Sequence, residues 1–215
     1  MYKNIYIIYI IYMPYTARAA TARAATAITP LSFIDALGYY GPYLAFLISI
    51  FLLYKTKTYL FIYLVGFATN MIINYVLKGI IKEARPATKS PISNPLLSNS
   101  PHSGIHIYGM PSGHAEGIFY STAYIIGALH NFKISAFFLL LSFNTIIQRV
   151  RYKNHTIAQV IVGSIVGIIV GYGFYTYAKK TLEGSLREKR ADNAPNAQQL
   201  ALIQSDKQPI VLFMD

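Results

Sequence analysis

The sequence predicts an all-α protein, a bundle of helices that crosses a membrane several times. Hydrophobic residues make up 54% of the chain and charged residues only 13%, whereas a typical soluble domain carries about 25% charged residues. The mean hydropathy is +0.38. The apolar residues are concentrated in runs that suit the ~30 Å hydrocarbon core of a bilayer. Together these observations predict a multi-pass transmembrane helical bundle.

Five apolar segments predict five spans, and a helix near the N-terminus would make a sixth. The segments are residues 33–54, 59–77, 115–129, 134–147 and 157–178. The first, second and fifth reach spanning length. The third and fourth approach the ~20 residues that a span needs only if residues 111–114 and 148–151 extend them. Polar side chains in those extensions would therefore lie at the membrane–water boundary.

The two ends of the chain differ from this central domain, which we assign to residues 31–178. Residues 1–30 hold an Ile/Tyr-rich run broken by Pro14 and a duplicated Thr-Ala-Arg-Ala-Ala sequence. A signal-like anchor, an interfacial helix and a disordered arm all fit this segment. Residues 179–215 form a polar tail. The formal charge of +11 falls between the apolar runs and in this tail, a distribution that suits lipid headgroups or phosphate better than nucleic acid.

Consecutive crossings bring several polar residues to one membrane face. The last residues of the second and fourth segments must meet the first residues of the third and fifth. This places together Lys78, Arg85, Ser112, His114, Arg149 and His155.

These residue types suit a phosphoryl group. Arginine binds phosphate through paired donors and lysine acts as a point charge, and a helix start with Gly113 exposes backbone N–H groups to an anion. One histidine can attack phosphorus while the other protonates the leaving oxygen. Because the chain has no cysteine, thiolate catalysis, thiolate metal sites and disulfides are excluded. The sequence therefore predicts a histidine-based hydrolytic site for phosphate.

Three motifs also carry a resemblance to a known family. Lys78 and Arg85-Pro86 have the spacing K-x6-RP, and residues 111–114 read Pro-Ser-Gly-His. Arg149 and His155 match a third motif, SR-x5-H-x3-D, in which Gln148 and Gln159 replace the usual Ser and Asp. Over residues 33–178 the chain resembles the type 2 phosphatidic acid phosphatase superfamily, which includes lipid phosphate phosphatases and dolichyl diphosphatases.

The resemblance implies a role for each matching residue. His155 would be the nucleophile that forms a phosphohistidine. His114 would protonate the leaving group and then activate water. The phosphate would be held by Lys78, Arg85, Ser112, Gly113 and Arg149. The family's phosphatases use no metal ion, so the resemblance implies no metal and no cofactor.

Gln159 leaves two interpretations open. It lies four residues after His155 and so shares a helix face with it. An Asp there would hold the imidazole tautomer and stabilise developing positive charge, whereas Gln can accept a hydrogen bond but brings no full charge. The enzyme is then either weakened or a subtype, because dolichyl-diphosphatase-like members carry a similar His-Thr-x-x-Gln segment. We favour the subtype because every other phosphate ligand is present.

The sequence thus predicts a membrane lipid phosphatase, with a polyprenyl (dolichyl-type) diphosphate as the favoured substrate. A phosphatidic acid-type phosphatase and a non-catalytic lipid-phosphate-binding protein are the alternatives. The expected partners are this lipid and membrane lipids, with no nucleic acid; the oligomeric state is not specified.

The face opposite the site carries Lys55, Lys57, Lys133, Lys179 and Lys180. The positive-inside rule then places the site in a lumen or outside the cell, with the endoplasmic reticulum as a candidate membrane.

Several other residues have structural as well as functional interpretations. Asn70 and Asn74 could form a polar stripe toward the site or hydrogen bonds between helices. Glu116 could tune His114 or face solvent, and the loop 90–109, including a weak histidine pair, could be a lid or a connector. Close helix packing is the expected role of Gly163, Gly167 and Gly171. Attraction of an anionic substrate and ordinary interfacial charge are both open for Lys82, Arg151 and Lys153.

Overall fold

Five α-helices make up almost all of the described chain. The computed structural model describes residues 30–87 and 104–192, with side chains over 33–87 and 104–185. The helices are α1 Pro30–Leu53, α2 Lys57–Ile81, α3 Gly113–Leu129, α4 Phe132–Arg151 and α5 Ile157–Asp192. A 3-10 turn at Gly104–Ile107 precedes α3, and an isolated bridge joins Ala84 to Tyr108. These residues contain no strand, which confirms the predicted all-α class.

Four of the helices, α1, α2, α4 and α5, are long and apolar enough to cross a membrane by length and composition. The fourth predicted segment includes its polar flank, because α4 continues to Arg151. The third, α3, includes only Gly113 and His114 of the predicted flank 111–114. With 17 residues it is not among the candidate spans of the described residues, so four of the five predicted spans meet that criterion. The last helix continues beyond residue 178 to Asp192, so the first part of the predicted polar tail is helical. Predictions about residues 1–29 and 193–215 lie outside the described residues.

The shortest helix, α3, forms the centre of the bundle. Eleven of its 17 residues are buried, and all four other helices pack around it. Tyr120 Oη donates to the carbonyl of Tyr63 in α2 at 2.8 Å, and Thr122 Oγ1 lies 2.8 Å from Ser142 Oγ of α4. Since a bilayer offers no water to buried hydroxyl groups, such pairs hold neighbouring helices together.

The backbones of α3 and α5 lie in close contact. A Cβ atom added at Gly163, Gly167 or Gly171 would collide with backbone oxygen atoms of α3 or of Ser112 just before it. This confirms the predicted packing role of the three glycines. It also fixes the first turn of α5, which carries Gln159, against the turn that precedes α3.

We expect Gly167→Ala to destabilise the protein because its Cβ would overlap the backbone of Glu116. Overpacking of this kind costs about 1–3 kcal/mol, and thermal unfolding in detergent measures it. Gly173→Ala is the matched control on the same helix, since nothing lies within 4 Å of a Cβ there. Its unfolding temperature should stay unchanged or rise, because alanine favours helix over glycine. Equal unfolding temperatures for the two variants would contradict the packing assigned to Gly167.

Candidate active site

A cavity of about 870 Å³ opens where α2 and α4 end and where α3 and α5 begin. Six of the eight residues predicted for the site line it, namely Lys78, Arg85, Gly113, His114, Arg149 and His155. The other two, Ser112 and Gln159, are fully buried and do not line the cavity. The structure therefore gathers the predicted residues at one end of the bundle, as the count of crossings required.

The three cations are held in different ways. Lys78, 3% exposed, donates from Nζ to the carbonyl oxygens of Tyr108 and Pro111 at 3.1 and 2.7 Å. Arg85 donates from Nε to the His106 carbonyl at 3.1 Å and from Nη1 to the Asn154 carbonyl at 2.9 Å. Burial lowers the pKa of Arg85, yet a guanidinium stays charged in proteins.

Arg149 differs from the other two cations because part of its guanidinium has no hydrogen-bond partner in the part of the chain that the structure describes. The side chain is 1% exposed, and its Nε and Nη1 atoms make no hydrogen bond within the described residues. Its guanidinium carbon lies 5.6 Å from the centre of the Tyr39 ring. A buried donor without an acceptor is costly, so this end of the cavity is suited to an anion that supplies acceptor oxygens.

His155 is held in a single tautomer by its hydrogen bonds. Nδ1 lies 2.9 Å from the Gly109 carbonyl oxygen and 3.2 Å from Gln159 Oε1. Both are acceptors, so Nδ1 carries the proton and Nε2 presents a lone pair. That Nε2 atom lies 3.0 Å from Arg85 Nη1, which donates to it.

The surroundings of His155 also favour its neutral form. Burial lowers the pKa of His155 most, and the positive charges of Arg85, Arg149 and Lys78 lower it further. The hydrogen bond that His155 donates to Gln159 raises the pKa, but it is the smallest of these effects. Because the pKa falls below its ordinary value, the imidazole is unprotonated at neutral pH and Nε2 can act as a nucleophile.

Gln159 joins His155 to a residue that the sequence did not single out, Glu83. Gln159 Nε2 donates to Glu83 Oε1 and to the Ala84 carbonyl oxygen, each at 2.8 Å. No periodicity or spacing marked Glu83, which lies among the unspecified positions between Lys78 and Arg85. It comes near the site because Lys82, with φ of 50°, ends α2 in a left-handed conformation and turns the chain toward Tyr108 and Gly109.

The turn before α3 brings the second histidine to the cavity. Ser112 N donates to the Gln159 carbonyl at 3.0 Å, which ties this turn to α5. The His114 ring packs beside two tyrosines of α1, with centroids 5.7 Å from Tyr39 and 6.2 Å from Tyr43. Ser112 Oγ and His114 Nε2 are buried without hydrogen-bond partners among residues 33–87 and 104–185.

Below the turn, the half-buried Asn74 forms a polar pair with Glu116. Asn74 Nδ2 donates to Glu116 Oε2 at 2.6 Å and more weakly to the Pro111 carbonyl at 3.4 Å. Glu116 is therefore fully buried rather than exposed at the helix start. Asn74 lines the cavity and also joins α2 to α3 through its hydrogen bond to Glu116. It therefore belongs both to a polar stripe that reaches the site and to the hydrogen bonds between helices.

Of the remaining polar candidates, Asn70 and His106 line the cavity and the other described ones do not. Lys82, Arg151 and Lys153 do not line it, and Arg151 forms an ion pair with Asp35 at 3.0 Å. His106 lines the cavity, and its carbonyl accepts from Arg85. Its suggested partner His102, with residues 90–103 of the proposed lid, lies outside the described residues.

The fold and the cavity together define a helical membrane protein with a cationic site that carries two histidines. The chain belongs to the PAP2 superfamily, whose family model matches residues 59–183. The resemblance drawn from the three motifs is thereby confirmed at the level of the family.

Individual relatives are more distant. The chain is 23% identical to Dolichyldiphosphatase 1 of Homo sapiens over 148 residues, which covers 61% of this chain and 58% of that protein. It is 30% identical to the chloroplastic Lipid phosphate phosphatase epsilon 1 of Arabidopsis thaliana over 120 residues, or 52% of this chain and 38% of that protein. The chain thus spans little more than half the length of the human relative. No solved structure matches it.

Proposed function

We propose that this protein is a membrane phosphatase that hydrolyses a lipid-linked phosphate or diphosphate through a phosphohistidine at His155. The observation that carries the proposal is the state of that residue. Its Nε2 presents a lone pair to a cavity that Lys78, Arg85 and Arg149 also line. Three cations stabilise the charge of a phosphoryl group, and the neutral nitrogen attacks it once Arg85 Nη1 has turned from that nitrogen to the phosphoryl oxygens.

The proposed reaction has two steps. First, His155 Nε2 bonds to phosphorus while the bond from phosphorus to the leaving oxygen breaks, and His114, which the charge of the bound phosphoryl group keeps protonated, gives that oxygen its proton. Second, His114 takes a proton from water, the water oxygen bonds to phosphorus, and the N–P bond breaks to release phosphate. Arg149 Nε and Nη1 and Ser112 Oγ, which lack partners among the described residues, are suited to hold the phosphoryl oxygens.

The apolar part of the cavity supports a lipid substrate. Helices α1 and α2 touch at few points, and the cavity extends between them from the cationic end. Its apolar lining comes from both helices and consists of Pro42, Tyr43, Phe46, Leu64, Phe67, Ala68, Met71 and Tyr75. A phosphorylated headgroup among the cations would therefore have a path for its hydrocarbon chain toward the membrane interior.

Two observations favour a polyprenyl diphosphate within this class. The human relative is named a dolichyldiphosphatase, and the segment 155–159 resembles the corresponding segment of dolichyl-diphosphatase-like proteins. The name of the Arabidopsis relative supports the broader class of lipid phosphates.

The test is a phosphate-release screen with purified protein in detergent, comparing a polyprenyl diphosphate with phosphatidic acid. We expect release from both classes to depend on His155, with a higher kcat/KM for the diphosphate. Equal values would remove the diphosphate preference. Lipid binding without release from any lipid phosphate would overturn the proposal in favour of a non-catalytic binding protein.

We expect Ala68→Phe to obstruct the apolar part of the cavity, because Ala68 lines it. A loss of about 1.4 kcal/mol in binding would lower kcat/KM for a long-chain substrate about tenfold, whereas a short-chain analogue should be unaffected. Val65→Phe is the matched control, since Val65 is exposed on the same helix and does not line the cavity. A parallel loss on short and long chains would contradict the role of this path.

We also propose that the site faces a lumen or the exterior of the cell, with the endoplasmic reticulum as a candidate membrane. Lys55, Lys57 and Lys133 flank helix ends at the opposite face of the bundle, as the positive-inside rule expects for a cytosolic side. The division into residues 1–30, 31–178 and 179–215 remains part of the same proposal. The chain has no cysteine, so single cysteines can be introduced one at a time and labelled in sealed vesicles to test the orientation. Labelling of a cysteine at position 131 from the lumenal side would refute it.

A further inference from the structure

The amide of Gln159 is fixed in one orientation by four hydrogen-bonding neighbours. Its Oε1 accepts from Thr156 N at 3.2 Å and faces the protonated Nδ1 of His155. Its Nε2 donates to the Glu83 carboxylate and to the Ala84 carbonyl. Reversing the amide would place donors against donors and acceptors against acceptors. The amide therefore keeps its N–H group toward the Glu83 carboxylate and its oxygen toward His155.

Glu83 is itself held in place by the backbone around it. Its carbonyl accepts from Gly109 N at 2.7 Å, and the next residue, Ala84, bridges to Tyr108. The Gly109 carbonyl in turn accepts from His155 Nδ1. The segment that carries the carboxylate and the segment that contacts the imidazole therefore form one unit, which holds the backbone of Glu83 within reach of Gln159.

We propose that Glu83 is a positioning residue whose carboxylate acts on His155 through Gln159 and supplies the negative charge that Gln159 lacks. This inference rests on the proposed function, because it concerns the charge that His155 acquires there. When Nε2 bonds to phosphorus and Nδ1 keeps its proton, the ring becomes positively charged. The three cations around it oppose that charge. Gln159, polarised by the carboxylate behind it, partly offsets this opposition.

No other carboxylate of the described residues takes this position. Glu116, the buried acid near the site, bonds to Asn74 at 2.6 Å, and Asp35 bonds to Arg151 and Tyr152. In hydrolases that place an aspartate directly on the histidine, that carboxylate stabilises the imidazolium. Here the Glu83 carboxylate lies one side chain further from His155, with the Gln159 amide between them.

The first test is Glu83→Gln, which removes the charge and retains an oxygen that can accept from Gln159 Nε2. We expect kcat to fall about 10- to 100-fold, by analogy with the loss of outer hydrogen-bond partners of metal-bound histidines. KM should change less than about twofold, since Glu83 does not line the cavity. Glu183→Gln is the matched control, because Glu183 is exposed on α5, near its C-terminal end, and should keep wild-type kcat.

The second test separates charge from structural support. Gln159→Glu should be strongly impaired because it sets two carboxylates side by side. In the double variant Glu83→Gln/Gln159→Glu, one carboxylate faces His155 directly and the new amide can donate to it. We expect a higher kcat in the double variant than in Gln159→Glu alone, a positive coupling in the double-mutant cycle.

Three outcomes decide the matter. Wild-type kcat in Glu83→Gln overturns the inference while leaving the proposed function intact, provided that His155→Ala is inactive. Full activity in His155→Ala instead overturns the proposed function. If Glu83→Gln loses activity together with thermal stability, the double variant decides, and absence of recovery there shows that Glu83 gives structural support only.

Discussion

Replacing His155 with alanine is expected to abolish phosphate release, with a loss in kcat of at least about 10⁴-fold, as for the loss of a nucleophile in other hydrolases. The reason is chemical, because the imidazole Nε2 forms the covalent bond to phosphorus in the proposed reaction. The other imidazole at the cavity, His114, does not replace it, because in the proposed reaction His114 protonates the leaving oxygen. Wild type treated with a radiolabelled substrate and quenched in alkali should retain acid-labile label, and the variant should retain none.

His130→Ala is the matched control for this substitution. His130 follows α3 at the opposite face of the bundle, and its Nε2 lies 3.5 Å from Tyr175 Oη. It should keep wild-type rates and the phosphoenzyme. Phosphate release by His155→Ala within tenfold of wild type would show that another group attacks phosphorus.

Replacing Arg149 with methionine is expected to separate activity from stability. Removing one preorganised donor to a developing charge typically costs about 10²–10³-fold in kcat, so phosphate release should fall by at least that factor. Thermal stability in detergent should stay level or rise, because methionine fills a similar volume without the desolvation cost of a buried charge. Vanadate, a phosphate mimic, should raise the unfolding temperature of wild type but not of this variant.

Arg151→Met supplies the contrast, two residues away on the same helix. Arg151 forms an ion pair with Asp35 at 3.0 Å and does not line the cavity. Loss of this ion pair should lower the unfolding temperature slightly, because a partly exposed pair contributes about 1 kcal/mol or less to stability. The value of kcat should stay within about twofold, because Arg151 does not line the cavity. A drop in stability for Arg149→Met as large as for Arg151→Met would mean that the Arg149 guanidinium has structural partners.

The helices and the meeting of the site residues could be predicted because both depend on simple counts. Apolar length marks α1, α2, α4 and α5, and alternate crossings carry Lys78, His114 and His155 to the same face whatever the details of packing. The packing role of the glycines on α5 could also be predicted, because glycines at four-residue spacing lie on one helix face and allow close backbone contact there. The structure confirms the packing of those glycines and the gathering of the predicted residues.

The parts that could not be predicted depend on contacts between segments with no shared pattern. Glu83 meets Gln159 across 76 positions of sequence, by way of a left-handed turn at Lys82. Tyr39 and Tyr43 lie in an apolar run that any span would contain, yet they pack beside His114. The burial of Glu116 follows from Asn74 on a neighbouring helix. No single segment carries information about such partners.

The contact between Arg85 and His155 has a consequence for which molecules can react. In the free protein Arg85 Nη1 donates to the same nitrogen that must attack phosphorus, so the nucleophile is covered by one of the groups that recruit the substrate. An anionic phosphoryl group draws that donor to its own oxygens and thereby uncovers the nitrogen. An uncharged phosphotriester offers weaker acceptors and would leave the cover in place. Under the proposed chemistry, the movement of the Arg85 donor to an anionic phosphoryl group both binds the substrate and exposes His155 Nε2.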